Sequence, residues 1–194
     1  MLGLGTAVNR GGLVSAADPL LLDTYSGAAA AYSLRQLSNT YSGNCVTVRR
    51  DSDNLDANIG FSGGVLDTSA LASHCGSANG FVVTWFDQSS NSNNATQLTA
   101  PTQPKIYDGS TGVVTENGKP AVQFDGSNDT LETANFASLI GAPNFYTAVV
   151  SFDDTANQYF IDSDSPGRSA TGIVSGNYSI RGLNGGTAAT GQHL

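Results

Sequence analysis

The chain predicts a mainly β protein, a two-layer sandwich with one or two short helices near its start. Three observations lead there. Short apolar runs recur through the second half of the sequence and are divided by Gly, Asn and Asp turns. Charged residues make up 12 % of the 194 positions, with 23 glycines and abundant Ser, Thr and Asn, a mix suited to many short strands and many turns. The clearest element, Gly80-Phe-Val-Val-Thr-Trp85, combines aromatic and β-branched residues into a buried strand, and Asp87-Gln-Ser-Ser-Asn-Ser-Asn-Asn94 follows it as a surface turn.

The organisation reads as an arm, residues 1–24, and a sandwich domain, residues 25–194. In the arm Gly3, Gly5, Gly11 and Gly12 interrupt every apolar run, leaving Leu2, Leu4, Leu13, Leu20, Leu21 and Leu22 as anchor positions. So little apolar area does not offset an ordering cost of about 1–2 kcal/mol per residue, so the arm is expected to be extended and either to dock on a neighbouring subunit as an assembly segment or to be a frayed terminus.

Ser26 then reads as the cap of a helix running to Leu37, with Ala30, Leu34 and Leu37 on one face. Cys45 to Arg49 alternates as a half-exposed strand, and Asp67 caps a second short helix from Thr68 to Ser73. Further strands are predicted at Val113 to Glu116, Ala121 to Phe124, Phe145 to Phe152, Gln158 to Ile161, Gly172 to Val174 and Tyr178 to Arg181. Regular spacing of this kind favours a sandwich.

Eight basic residues against 16 acidic ones leave a formal charge of −8, which repels phosphate backbones and argues against nucleic acid as a partner. No apolar stretch is long enough to span a membrane, and the first ten residues make a poor secretory signal. Cys45 and Cys75 are the whole thiol inventory. A disulfide between them is one reading and free buried thiols the other, the second favoured in a cytoplasmically assembled particle.

The most site-like cluster is Asp87, Gln88, Asn91, Asn93 and Asn94 beside Trp85, because amides and carboxylates next to an aromatic ring hold sugar hydroxyls and faces. The bland reading of the same residues is a solvated corner around a core tryptophan. No cofactor is expected. The Asp51–Asp56, Asp125–Asp129 and Asp162–Asp164 stretches offer oxygens to calcium, but none has the EF-hand pattern, and a solvated turn is the stronger reading of each.

Taken together, Ala31-Tyr-Ser-Leu-Arg-Gln-Leu37, Tyr41-Ser-Gly43, Val46-Thr-Val-Arg-Arg50, Ser52-Asp-Asn54, Ile59-Gly60, Leu66-Asp67 and Val83-Thr-Trp-Phe-Asp-Gln88 resemble the amino-terminal part of the family 54 α-L-arabinofuranosidase catalytic domain. Similar stretches occur in structural proteins of tailed bacteriophages. Gly118-Lys-Pro-Ala-Val-Gln-Phe-Asp-Gly126-Ser-Asn-Asp-Thr-Leu131 is similar to the opening of a laminin-G or concanavalin-like jelly roll. In the hydrolase a nucleophilic glutamate lies in the region that here reads Gln158 to Pro166. With the family's phenylalanine set on Phe160, Pro166 stands at the glutamate position, and the paired cysteines are missing. Glycosidases work with two carboxyl groups facing one bond. The resemblance therefore implies the architecture without the chemistry.

These readings combine into an expectation of a non-enzymatic virion protein assembled in the host cytoplasm: a capsid decoration, neck or tail-fibre component. Its expected partners are other virion proteins, copies of itself and, less directly, host polysaccharide, with no nucleic acid and no membrane. A carbohydrate-binding module is the first alternative and an α-L-arabinofuranosidase the second, the latter with Asp162 or Asp164 as a carboxylate to test.

Overall fold

The computed structural model describes residues 18–134, 147–152, 158–162, 170–174, 177–181 and 189–190. A four-residue helix, α1 (Leu21–Thr24), precedes the first strands, β1 (Val46–Arg50) and β2 (Asp56–Ile59). A small hairpin of β3 (Phe61–Ser62) and β4 (Val65–Leu66) leads into helix α2 (Thr68–Cys75). Then come β5 (Gly80–Trp85), β6 (Ala95–Thr96), β7 (Lys105–Asp108), β8 (Gly112–Val113), the hairpin β9 (Thr115–Glu116) and β10 (Lys119–Pro120), and β11 (Glu132–Thr133). A four-stranded antiparallel sheet of β12 (Gln158–Asp162), β13 (Ala170–Val174), β14 (Asn177–Arg181) and β15 (Ala189–Thr190) follows in chain order. The protein is mainly β and antiparallel, as a β-sandwich of jelly-roll type requires.

Strand β5 organises the larger sheet, whose order is β11-β6-β5-β1-β2. It pairs with β1 along one edge, and along the other with β7 at Gly80 and Phe81 and with β6 at Thr84 and Trp85. The register shifts between Thr47 and Val48, so Val83 is an extra residue that bends β5. One face of this sheet carries the core: Val46, Val48 and Val82 are fully buried with Leu66, Leu71, Ile106 and Cys45.

Helix α2 lies on that face. Asp67 caps it by accepting the N–H groups of Ser69 and Ala70 at 3.1 and 2.9 Å, as its short polar side chain before Thr-Ser-Ala predicts. Leu71 and Cys75, one turn apart, are its buried residues. The approach to β5 is close because Gly80 has no side chain: a Cβ there would stand 2.6 Å from the Cys75 sulfur.

Four predicted elements differ. The helix from Ser26 to Leu37 does not form, and the segment is irregular and extended, with Arg35 making an antiparallel bridge to Val65. Its alanines favour a helix in isolation, but partners elsewhere in the fold take up its backbone groups. Of the predicted strand from Phe145 to Phe152, residues 147–152 carry no strand and 145–146 lie outside the described residues. β-propensity does not make a strand without a neighbouring edge to pair with. The expected strand from Val113 to Glu116 is split into β8 and β9, and Ala121 to Phe124 supplies a single bridge, Gln123 to Lys105.

Candidate functional site

Strand β5 delivers Trp85 to the edge of the core and sends Asp87 and Gln88 out of the sheet, yet both side chains turn back into the protein. Asp87 is 4 % exposed and Gln88 3 %. Asp87 Oδ1 accepts the N–H of Ala31 and of Ser89, both at 2.8 Å, and Oδ2 accepts the Ser89 hydroxyl at 2.7 Å and the Asn93 N–H at 3.0 Å. A buried carboxylate with no cation beside it is tolerable only when N–H and O–H donors converge on it, as they do here.

Gln88 does the same as an amide. Its Oε1 accepts the Leu37 N–H at 2.7 Å, and its Nε2 donates to the carbonyls of Ser33 and Arg35, each at 3.0 Å. The Gln88 backbone N–H adds a bond to the Ala31 carbonyl at 2.8 Å. Residues 31–37 are thereby pinned by one dipeptide, which accounts for the missing helix.

The asparagines extend the clasp. Asn91 donates from Nδ2 to the carbonyls of Ala28 and Ala29 at 2.8 and 3.2 Å, Asn93 to Ala29 at 2.8 Å, and Asn94 Oδ1 accepts the Asp87 N–H at 3.0 Å. The turn that makes this geometry needs left-handed backbone at Ser90 and Ser92, at φ 71° and 60°. Tyr32 donates its hydroxyl to the Asn93 carbonyl and packs its ring 6.2 Å from that of Trp85, tilted by 50°. Burial and the nearby Asp87 carboxylate both raise the Tyr32 pKa, so the phenol stays a donor. Trp85 packs against the core, and its indole Nε1 has no hydrogen-bond partner among the described residues.

The structure thus brings together all six residues singled out as sugar ligands, and the polar bonds they make are to the chain's own backbone and neighbouring side chains. The signal available in the sequence was the clustering. That Asp87 and Gln88 turn inward depended on Ala31 to Leu37, more than fifty residues earlier.

A second clasp closes the start of the domain. The Asp23 carboxylate accepts from the Ser38 hydroxyl at 2.6 Å, the Leu20 N–H at 2.9 Å and the Asn39 side-chain amide at 2.7 Å, bonds that hold its pKa below the usual carboxylate value. Leu22 donates its N–H to the Leu37 carbonyl at 2.8 Å. Leu20, Leu21 and Leu22 stand in or just before α1, while Leu2, Leu4 and Leu13 lie outside the described residues.

An open polar groove of about 490 Å³ is lined by Arg50, Asp51, Cys75, Ser77 and Asn79. Its charged groups are already engaged: Arg50 pairs with Asp53 at 2.5 Å and donates to the His74 carbonyl, and Asp51 accepts the Asn79 side-chain amide at 2.9 Å. Arg49 turns to the other face, stacked 5.1 Å over the Phe81 ring and bonded to Gln103. Cys45 and Cys75 are free and buried, and burial pushes their thiols up to about 12 and about 11.

In the Asp125–Asp129 turn, Asp125 Oδ1 accepts three consecutive N–H groups and Asp129 Oδ2 accepts the Asp125 N–H, so these oxygens close a turn. No group of three metal-ligating side chains occurs among the described residues. Asp164 and Pro166 lie outside them, and of Asp162 only the backbone, in β12, is described.

Residues 23–128, more than half of the chain, match the model of the family described as "Alpha-L-arabinofuranosidase B, catalytic". Two solved structures share 34 % identity with it: an arabinofuranosidase complexed with arabinofuranosyl-α-1,2-xylobiose and a family 54 α-L-arabinofuranosidase soaked with a cyclic sulfate inhibitor. Each overlap covers 35 % of this chain and 15 % of the other, at a TM-score of 0.33. The chain thus spans about 15 % of the length of those structures. No curated protein matches it.

The family match corrects the virion reading. A catalytic-domain family is what the chain matches, so the non-enzymatic role as capsid decoration or tail fibre and the virion location do not stand. The expectation rested on stretches shared with phage proteins, Pro166 at the nucleophile position, the acidic surface and the poor secretory signal; Pro166 lies beyond the matched residues 23–128, and the charge balance reports only a water-facing surface. Secreted hydrolases and particle proteins share that surface equally.

Proposed function

Because the chain belongs to the α-L-arabinofuranosidase B catalytic family, we propose that it serves a glycoside hydrolase that releases arabinofuranosyl groups from α-linked glycans. The observation that carries this reading is the family match, which spans Asp23 to Asn128 and so includes both clasp carboxylates, Asp23 and Asp87. The reaction is cleavage of a glycosidic bond by water, driven by two carboxyl groups on either side of it. Within residues 23–128 the most enclosed carboxylate, Asp87, is saturated by N–H and O–H donors; its role here is to position the 28–37 segment. The family's chemistry calls for no cofactor.

A second reading has a specific observation behind it: Pro166 at the position the resemblance gives to the nucleophile. In that case the scaffold holds arabinofuranosyl side chains without cutting them. One experiment separates the two. The protein is incubated with 4-nitrophenyl α-L-arabinofuranoside, and its retention on immobilised arabinoxylan is measured in parallel. Release of nitrophenol, with none from the β-xyloside, supports the hydrolase. Retention without release supports the binding reading. A folded protein that does neither overturns both.

A further inference from the structure

We propose that the Asn117–Gly118 turn is a site of spontaneous deamidation, converting a neutral amide into aspartate and isoaspartate on the surface of the folded protein. The inference is independent of the hydrolase reading. Three Asn-Gly pairs occur in the chain: Asn79–Gly80, Asn117–Gly118, and Asn184–Gly185, which lies outside the described residues.

Asn117 and Gly118 are the two central residues of the hairpin between β9 and β10, whose register sets Lys119 opposite Glu116 and Pro120 opposite Thr115. Their φ angles of 49° and 72° are both positive, the signature of a type I′ turn. Asn117 is exposed, and among the described residues no atom beyond the two chain neighbours lies within 4 Å of where a Gly118 Cβ would be. Among the described residues the one hydrogen bond of the Asn117 side-chain nitrogen runs to Glu116 Oε1, at a long 3.3 Å on the exposed surface. The Gly118 nitrogen is therefore approachable, with no side chain on its own residue to shield it.

The chemistry needs only water. The Gly118 amide nitrogen gives its proton to solvent and attacks Asn117 Cγ. A C–N bond forms, the Cγ–Nδ2 bond breaks, and ammonia leaves. The five-membered imide that results is opened by water at either carbonyl. One opening yields aspartate. The other carries the main chain through the side-chain carbon, lengthening a two-residue turn by one atom. Each product adds one negative charge next to Glu116 in a chain already at −8.

Asn79–Gly80 has the same chemistry and is locked. Asn79 Nδ2 donates to Asp51 Oδ2 at 2.9 Å, Oδ1 accepts the Gly109 N–H at 3.1 Å, and the Asn79 N–H donates to Asp51 Oδ1 at 3.0 Å. Gly80 is buried in β5 opposite Arg50 of β1, against the Cys75 sulfur. Ring closure there requires opening the centre of the sheet.

The test ages the full chain in mildly alkaline buffer, with and without urea, followed by peptide mass mapping and enzymatic methylation of isoaspartate. In the native protein the peptide holding Asn117 gains the mass of amide-to-acid conversion about tenfold faster than the peptide holding Asn79, or more, because only the first escapes the cost of local opening. In urea the two rates converge, and Asn117→Gln removes the native signal. Equal native rates at the two sites, or an Asn117 peptide that keeps its mass while the unfolded control converts, overturn the proposal.

Discussion

Asp87 and Ala31 stand 56 positions apart in sequence, and the carboxylate of the first accepts the backbone N–H of the second at 2.8 Å. This bond and those of Gln88 hold a sequence with good helix propensity in an irregular, non-helical path that bridges to β4 through Arg35. The polar loop after β5 is thus part of the protein's internal wiring.

Removing that carboxylate should cost more than a surface acid would. Asp87→Ala leaves the N–H groups of Ala31 and Asn93 without acceptors in a nearly closed site, for a loss of about 2–3 kcal/mol or more. Urea denaturation measures it, and hydrogen exchange should show protection lost first in residues 28–37.

Gln88→Glu is the sharper test of the second half of the clasp. The substitution replaces an Nε2 that donates to the Ser33 and Arg35 carbonyls with an oxygen that repels both. It should destabilise the fold by at least as much as Gln88→Leu, which removes the bonds but introduces no buried charge. A glutamate variant as stable as wild type in urea would mean that the two carbonyls are not held by this amide.

Gly80→Ala should cost about 1–3 kcal/mol by overpacking, since the added methyl would stand 2.6 Å from Cys75 Sγ and 3.0 Å from atoms of Val48 and Tyr107. Combining it with Cys75→Ala should recover part of the loss. A double-mutant cycle read by thermal or urea unfolding gives the coupling.

The Cys45 thiol, pushed by burial up to about 12 from 9.0, makes an alkaline prediction. The folded pKa is the higher one, so the contribution of the neutral thiol is whole below pH 9.0 and is lost as pH rises from there towards 12. Wild type should lose stability across that window more steeply than Cys45→Ala. At neutral pH a thiol reagent should label neither cysteine quickly until denaturant opens the core.

Strand β5 was legible in the sequence because Phe, Val, Thr and Trp in one run have few alternatives to a buried pleat. The cap at Asp67 was legible too, since its bonds reach only two and three residues ahead. Asp87 and Gln88 were visible as unusual residues but not as clasps, because a side chain's partner 50 residues away leaves no local trace. Part of the function was legible as well: the motifs from Ala31 to Gln88 already resembled the family 54 arabinofuranosidase catalytic domain, and the match over residues 23–128 bears that resemblance out, whereas composition described only the surface.

By itself, then, the sequence determined the mainly β class, the second helix with its cap, and the central strand, all consequences of interactions within a few residues. The tertiary structure alone decided the fate of residues 26–37 and the direction of the polar loop. A backbone N–H bonds whichever acceptor reaches it with better geometry. Here a buried carboxylate and a buried amide out-competed the carbonyls one helical turn away.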